Sequence, residues 1–132
     1  MLTLKRLDHF GVDVADLRRA EEFYTGLLGM SVEMRLPDQV LLRYGDGNLA
    51  LFLRPDREPG GLEQIEQPLG KSHHAFELPW EELEAALRIF REREIRHHAP
   101  IDWGDHDCVY LLDPDGNLLE LVGYRRPAAR VV

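Results

Sequence analysis

The sequence predicts an α+β domain built from two βαβββ modules that together form one barrel-like sheet around a central cavity. Three observations predict it. Each half of the chain opens with a period-two alternating run that leads into a run of helical period. Each half then closes with three short strand-like runs parted by turn residues. Finally, Asp46-Gly47-Asn48-Leu49 in the first half recurs as Asp115-Gly116-Asn117-Leu118 in the second.

In the first module, about residues 4–54, the run Leu7-Asp8-His9-Phe10-Gly11-Val12-Asp13-Val14 alternates and reads as a strand. Asp16 is a natural N-cap for a helix that carries Leu17, Ala20, Phe23, Tyr24, Leu27 and Leu28 at helical spacing and stops at Gly29. Strands are expected over 30–36, 39–44 and 48–53, separated by Pro37-Asp38 and Gly45-Asp46-Gly47. Residues 55–71, rich in proline, glycine and charge, read as a linker or lid. The second module, about 72–124, repeats the order: a strand through Leu78, a helix over about 80–94, and strands near 95–99, 107–112 and 117–123. The end, 125–132, reads as a loosely held tail. One module offers a sheet with a helix on one face only, so its other face needs a partner. Pairing the two would enclose the cavity.

At 132 residues the chain is long enough for one domain and too short for two independent ones. Its composition, 44% hydrophobic and 30% charged, is that of an ordered globular protein. The net charge is −8 and the basic residues are scattered, which argues against nucleic-acid binding. Cys108, the single cysteine, sits in an apolar run and reads as a buried, unactivated thiol. No run approaches membrane-spanning length and no signal-peptide pattern opens the sequence, so the expectation is a cytoplasmic protein with no membrane partner.

Alternation then selects the side chains that see the cavity. Phe10, Val12 and Val14 face the first helix, leaving His9, Gly11 and Asp13 on the other side. In the second module His74, Phe76 and Leu78 go with the helix, while His73, Ala75 and Glu77 face inward. Glu120, inside Leu118-Leu119-Glu120-Leu121-Val122, is a carboxylate in an apolar strand and needs a counter-ion or a metal. Each of these residues alone reads as structural. His9, His73 and Glu120 together form a two-imidazole, one-carboxylate set that binds a divalent ion and leaves positions open for substrate. Iron(II), manganese(II) and zinc all suit it. His97-His98 places at most one ring inward, and Trp103, Glu77 and Asp13 are candidates for the substrate pocket.

These residues resemble the vicinal oxygen chelate superfamily, which includes glyoxalase I, bleomycin-resistance proteins, fosfomycin-resistance thiol transferases, methylmalonyl-CoA epimerase and extradiol dioxygenases. The resemblance covers about residues 4–124. It rests on Leu7-Asp8-His9 before the Asp16-Leu17 helix start, Phe23-Tyr24 with Leu28-Gly29, His73, and above all Asp113-Pro114-Asp115-Gly116-Asn117-Leu118-Leu119-Glu120-Leu121. It implies paired modules, a divalent metal held by His9, His73 and Glu120, a small substrate with neighbouring oxygens, and by analogy a homodimer. Glyoxalase I and the epimerase carry a fourth ligand in the last strand of the first module. Internal alignment puts Leu51 there, so a three-ligand site is expected. Val109-Tyr110-Leu111-Leu112-Asp113-Pro114-Asp115-Gly116 is similar to the dioxygenase signature, which makes Tyr110 the candidate catalytic residue. The histidine which that family carries before this tyrosine is replaced by Trp103. A metal-dependent oxygenase is therefore expected slightly ahead of a lyase, isomerase or thiol transferase. The competing class is a non-catalytic protein that sequesters an antibiotic such as bleomycin.

Overall fold

The computed structural model describes residues 1–125; most of the expected tail, 126–132, lies outside the described residues. The chain divides into two compact units, Met1–Pro59 and Gly60–Val132, with the division inside the segment expected to be a linker.

The first unit runs β1 (His9–Val14), α1 (Leu17–Gly26), β2 (Ser31–Leu36), β3 (Gln39–Tyr44) and β4 (Gly47–Leu53). Asp16 caps α1 as its sequence demands, its carboxylate accepting the Arg19 N–H at 3.0 Å. At the other end Gly29, at φ +71°, turns the chain out while the Met30 N–H bonds the Tyr24 carbonyl. The sheet order is β1-β4-β3-β2, with β1 and β4 parallel and the other pairs antiparallel. Val12, Val14, Leu49 and Leu51 are buried with Ala20, Phe23 and Tyr24 of α1, while His9, Gly11 and Asp13 are exposed, as alternation requires.

The second unit repeats this topology. It holds α2 (Glu63–Glu66), β5 (His74–Glu77), a 3₁₀ turn (Trp80–Glu82), α3 (Leu83–Glu92), β6 (Ile101–Asp102), β7 (His106–Leu112) and β8 (Leu118–Tyr124). The order β5-β8-β7-β6, with β5 and β8 parallel, matches that of the first sheet strand for strand. The chain is therefore α+β, with two four-stranded sheets of the same order, each with a helix between its first and second strands.

Three expectations need correcting. The segment expected as a strand at 95–99 touches β7 only through the His97–Leu111 bridge and bonds from His98 N–H to Tyr110 and from Leu112 N–H to Arg96. Glu94 takes φ +55° to end the helix, and Pro100 removes a donor, so regular pairing begins only at Ile101. The first turn of the second helix is 3₁₀, because Pro79 holds an extended ψ of 134° immediately before it. The expected linker contains a helical turn, α2, whose Ile65 packs with Cys108, Tyr110, Leu112 and Leu118. Thus β7 and β8 are covered on both faces, which explains why Cys108 through Leu112 and Leu118 through Leu121 are continuously buried.

The turn between β7 and β8 is unusually well tied. Asp113 is 4% exposed, and its carboxylate accepts the N–H groups of Asp115 (2.9 Å) and Asn117 (2.8 Å) and the Asn117 side-chain amide (2.8 Å). Gly116, at φ +80°, lies against the backbone of Gly60, whose N–H bonds the Asp115 carbonyl at 2.9 Å. The Asp-Pro-Asp-Gly-Asn segment thus fixes both the β8 register and the point where the segment carrying α2 comes down on the sheet.

Candidate metal centre

Register brings the chemistry together on β8. Glu120 pairs with Tyr110 of β7 and with Ala75 of β5, so these three side chains share one face. His73, immediately before β5 rather than inside a strand as expected, reaches over the small Ala75. Its Nε2 lies 2.9 Å from Glu120 Oε1, and its ring stands edge-on to Tyr110 with centroids 5.3 Å apart. Both partners are largely withdrawn from water, the side chains being 28% and 12% exposed.

The protonation of this pair follows from its neighbours. His73 Nδ1 faces the Lys71 carbonyl oxygen at 2.7 Å. A carbonyl only accepts, so Nδ1 carries a proton, and Nε2 meets the carboxylate either as the second N–H of an imidazolium or as a lone pair beside a shared metal ion. Two lone pairs at that distance repel unless a cation lies between them, either a proton or a metal ion. An imidazole with its second nitrogen anchored, facing a buried carboxylate, is a donor set that fits a borderline divalent ion. His9 in the first unit is prepared in the same way. Its Nδ1 is 2.8 Å from Asp8 Oδ2, which leaves Nε2 as the donor, and that hydrogen bond holds the Asp8 carboxyl below its usual range.

Tyr110 is 4% exposed. Burial first, and then the charge of Glu120, pushes its phenol up, so it carries its proton at neutral pH and can donate. Cys108, two residues earlier on the same face, is buried as expected. Its thiol is pushed up to about 11 by burial, with the Glu120 carboxylate adding to the rise and the Trp103 hydrogen bond working against it. Trp103 donates its indole N–H to Cys108 Sγ at 3.3 Å, which places it beside this face with the ring half exposed.

The other candidates are distributed differently. Glu77 lies at the end of β5 opposite Val122, on the Glu120 face. Asp13 belongs to the first unit, on the His9 side of β1, and is 3.8 Å from Arg54 Nε. His97 packs its ring on buried Phe90 and faces the Ile95 carbonyl, a structural role. Among the described residues no three His, Cys, Asp or Glu side chains gather as an ion-holding group. Within the second unit the donors brought together are two, His73 and Glu120.

Register also revises the internal alignment. Ala75 pairs with Glu120, and the corresponding Gly11 pairs with Ala50, whereas Leu51 faces α1 with Leu49. Ala50 is thus the counterpart of Glu120, and it cannot bind a metal. The first sheet offers no fourth donor at that place, for a different residue than expected. Sequence reasoning missed His106 and Tyr124, which continue the Glu120 face and pair with each other across β7 and β8. Counting by twos from Tyr110 and Glu120 would have found them.

The sequence profile described as "Glyoxalase/Bleomycin resistance protein/Dioxygenase superfamily" matches residues 6–121. Biphenyl-2,3-diol 1,2-dioxygenase 3 of Rhodococcus globerulus is 30% identical over 92% of this chain and 64% of its own length. Catechol-2,3-dioxygenase of Bacillus subtilis (strain 168) is 30% identical over 95% of the chain and 45% of its own length. The chain therefore spans less than two thirds of either relative. Among solved structures, the genomically encoded fosfomycin resistance protein FosX from Listeria monocytogenes superposes with a TM-score of 0.76 at 15% identity, covering 92% of this chain and 94% of that one, which shows a shared fold. With the profile spanning nearly the whole of both units, the chain belongs to the glyoxalase/bleomycin resistance protein/dioxygenase superfamily.

Proposed function

We propose that the chain is a divalent-metal-dependent enzyme acting on a small molecule that presents two neighbouring oxygens, with oxygenative ring opening of a catechol preferred over lyase, isomerase or thiol-transfer chemistry. The single observation that carries this reading is the His73–Glu120 pair, Nε2 2.9 Å from Oε1, with Tyr110 on the same face. Both 30%-identical relatives bear dioxygenase names, which supports the oxygenase branch. His9 is the third proposed ligand, its Nε2 left available by Asp8. The ion, iron(II), manganese(II) or zinc, would act when bound as a Lewis acid toward the two substrate oxygens. Tyr110 donates a hydrogen bond to a substrate oxygen, Glu120 and His73 fix the place of the chelating head, and the apolar side chains beside them exclude water. Glu77, Trp103 and Asp13 are proposed to border the substrate.

Anaerobic reconstitution with each ion, followed by a panel of catechols, methylglyoxal–thiol adducts and fosfomycin, tests the reading. Metal uptake should be lost in the His9→Ala/Glu120→Ala double variant; equal uptake by both proteins would remove the site. Tight bleomycin binding unaffected by chelator, with no turnover of any compound, would favour the sequestering alternative instead. We also propose a cytoplasmic homodimer. Leu2, Leu4, Leu7, Met34 and Leu36 are exposed apolar side chains of the first unit that a second copy would cover. A light-scattering mass of one chain would exclude it. No helix among the described residues is long and apolar enough to cross a membrane.

A further inference from the structure

The Glu120 face is covered. Tyr110 is 4% exposed and Glu120 9%, and Cys108, Leu112 and Leu118 beside them on β7 and β8 are buried as well. The cover comes from the segment that precedes β5, where Ile65 of α2 packs with Cys108, Tyr110, Leu112 and Leu118. A substrate oxygen therefore meets the Tyr110 phenol only when this cover lifts.

The cover is lightly held. Its helix is a single turn, Glu63–Glu66, too short to sustain itself, so its place depends on what anchors it. Ile65 and Pro68 are buried, whereas Leu62 and Leu69 stay 47% and 56% exposed, so few apolar contacts hold the segment down. The Gly60 N–H bond to the Asp115 carbonyl fixes one end, and Gly70, at φ +84°, turns the chain at the other. Lys71 supplies a polar tie, its ammonium donating to the Glu63 carbonyl of α2. The carbonyl of the same residue accepts from His73 Nδ1 at 2.7 Å. Lys71 thus grips the cover with its side chain and the imidazole with its backbone.

We propose that residues 60–70 form a gate over the Glu120–Tyr110 face, and that Lys71 is a positioning residue coupling the gate's docking to the orientation of His73. With Ile65 seated, water is kept from Glu120 and the imidazole is aimed at it. With the gate lifted, the face opens to a small molecule, Lys71 loses its hold on α2, and the imidazole is freed in the same movement. This rests on the reading of Glu120 and His73 as the place of the chelating head only for what the gate admits. Cys108 is a native reporter of the opening, because it packs against Ile65 two residues along β7 from Tyr110.

The test uses the full chain, stripped of metal by chelator so that it stands apart from the metal reading. Thiol labelling of Cys108 is followed at urea concentrations below the unfolding transition, beside global unfolding by circular dichroism. Without urea, labelling should run about tenfold or more faster than global unfolding allows, and it should depend only weakly on urea because little surface is exposed. Ile65→Ala should speed it by about another tenfold. Lys71→Met should speed it about fivefold, for one lost hydrogen bond, and abolish a slowly exchanging His73 Nδ1–H resonance; Lys71→Arg should restore both. In the parent protein the hydrogen-bonded amides of residues 64–67 should exchange about a hundredfold faster than those of 108–112. Labelling that tracks global unfolding overturns the gate, as do amides at 64–67 protected like those of β7, a readout that needs no variant to fold. A Lys71→Met variant that moves neither labelling nor the His73 resonance overturns the coupling. Manganese(II) uptake is scored separately: opening without uptake leaves the gate standing and removes the metal reading, and uptake by a chain whose cover never opens does the reverse.

Discussion

Replacing Glu120 by glutamine separates a ligand from a structural partner. The side chain keeps its length, loses its charge and gains an amide N–H. Because the Lys71 carbonyl holds the His73 proton on Nδ1, Nε2 can accept from that amide. The 2.9 Å contact of the parent protein then survives as a neutral hydrogen bond. A hydrogen bond to a charged group contributes about 1.5–3 kcal/mol and a neutral one about 1 kcal/mol, so the gross loss is about 1–2 kcal/mol. The relief of burying one charge fewer offsets much of that loss, and metal-free stability should change by less than about 1 kcal/mol. Metal binding should respond quite differently. A thousandfold excess over Kd stabilises the folded chain by about 4 kcal/mol. For a domain of this size that raises Tm on the order of 10–20 °C. Glu120→Gln should lose most of this rise, because the anionic donor is gone. In the parent protein the rise should shrink on acidification, as protons compete for the same lone pairs. Thermal melts of chelator-stripped protein with and without added manganese(II) or zinc measure both quantities. A variant several kcal/mol less stable without metal that keeps the full metal-induced rise would refute the reasoning, since Glu120 would then be a packing partner of His73 and not a ligand.

Three other outcomes are expected. Tyr110→Phe should lower turnover while metal content is unchanged, with at most about 1 kcal/mol lost in stability for one hydrogen bond; unchanged turnover would make the residue structural. Gly116→Ala should destabilise by about 2 kcal/mol or more, because φ is +80° and the new Cβ would run into the Gly60 backbone; faster proteolysis within 55–71 is the local readout. The Cys108 thiol, with a value of about 11, should resist alkylation at pH 8 in folded protein and react promptly in urea. Since its folded value lies above the ordinary 9.0, the associated stabilisation is complete below pH 9 and is lost as pH rises toward 11, which alkaline denaturation profiles of Cys108→Ala and the parent protein can compare.

Most of the fold was legible because local and tertiary preferences agree. Asp16, the α1 stripe and the alternation of β1 all point to a half-buried strand followed by a capped helix, and that is what forms. Disagreement arose where tertiary contacts decide. Residues Glu63–Glu66 have no helical signal amid the surrounding proline and glycine, and their single turn exists because Ile65 finds the β7–β8 face. The edge at 95–102 contains β-branched and apolar residues, but its pairing is set by Glu94 and Pro100. At the site, alternation was enough to bring Glu120, Tyr110 and His73 to one face. The one-residue slip that makes Ala50 rather than Leu51 the counterpart of Glu120 is invisible in an alignment of repeated letters, because the first strand pairs in parallel with the last and its register is a backbone fact.

That parallel pairing also bears on folding. β5 opens the regular strands of the second unit and β8 closes them, so His73 and Glu120 meet across 47 residues of sequence. The length-dependent entropy of closing such a loop is about 3 kcal/mol, and it is spent before the contacts at the seam return anything. Hairpin pairing of β7 with β8 is local and can precede it. The β5–β8 seam is therefore the slow, late event of this unit and the place where it would first come apart. The ion proposed above, held by one ligand on each side of the seam, would act as a latch. It would leave the early hairpin untouched and lower the unfolding rate far more than it raised the folding rate. Metal loading would then govern how long the native chain lasts.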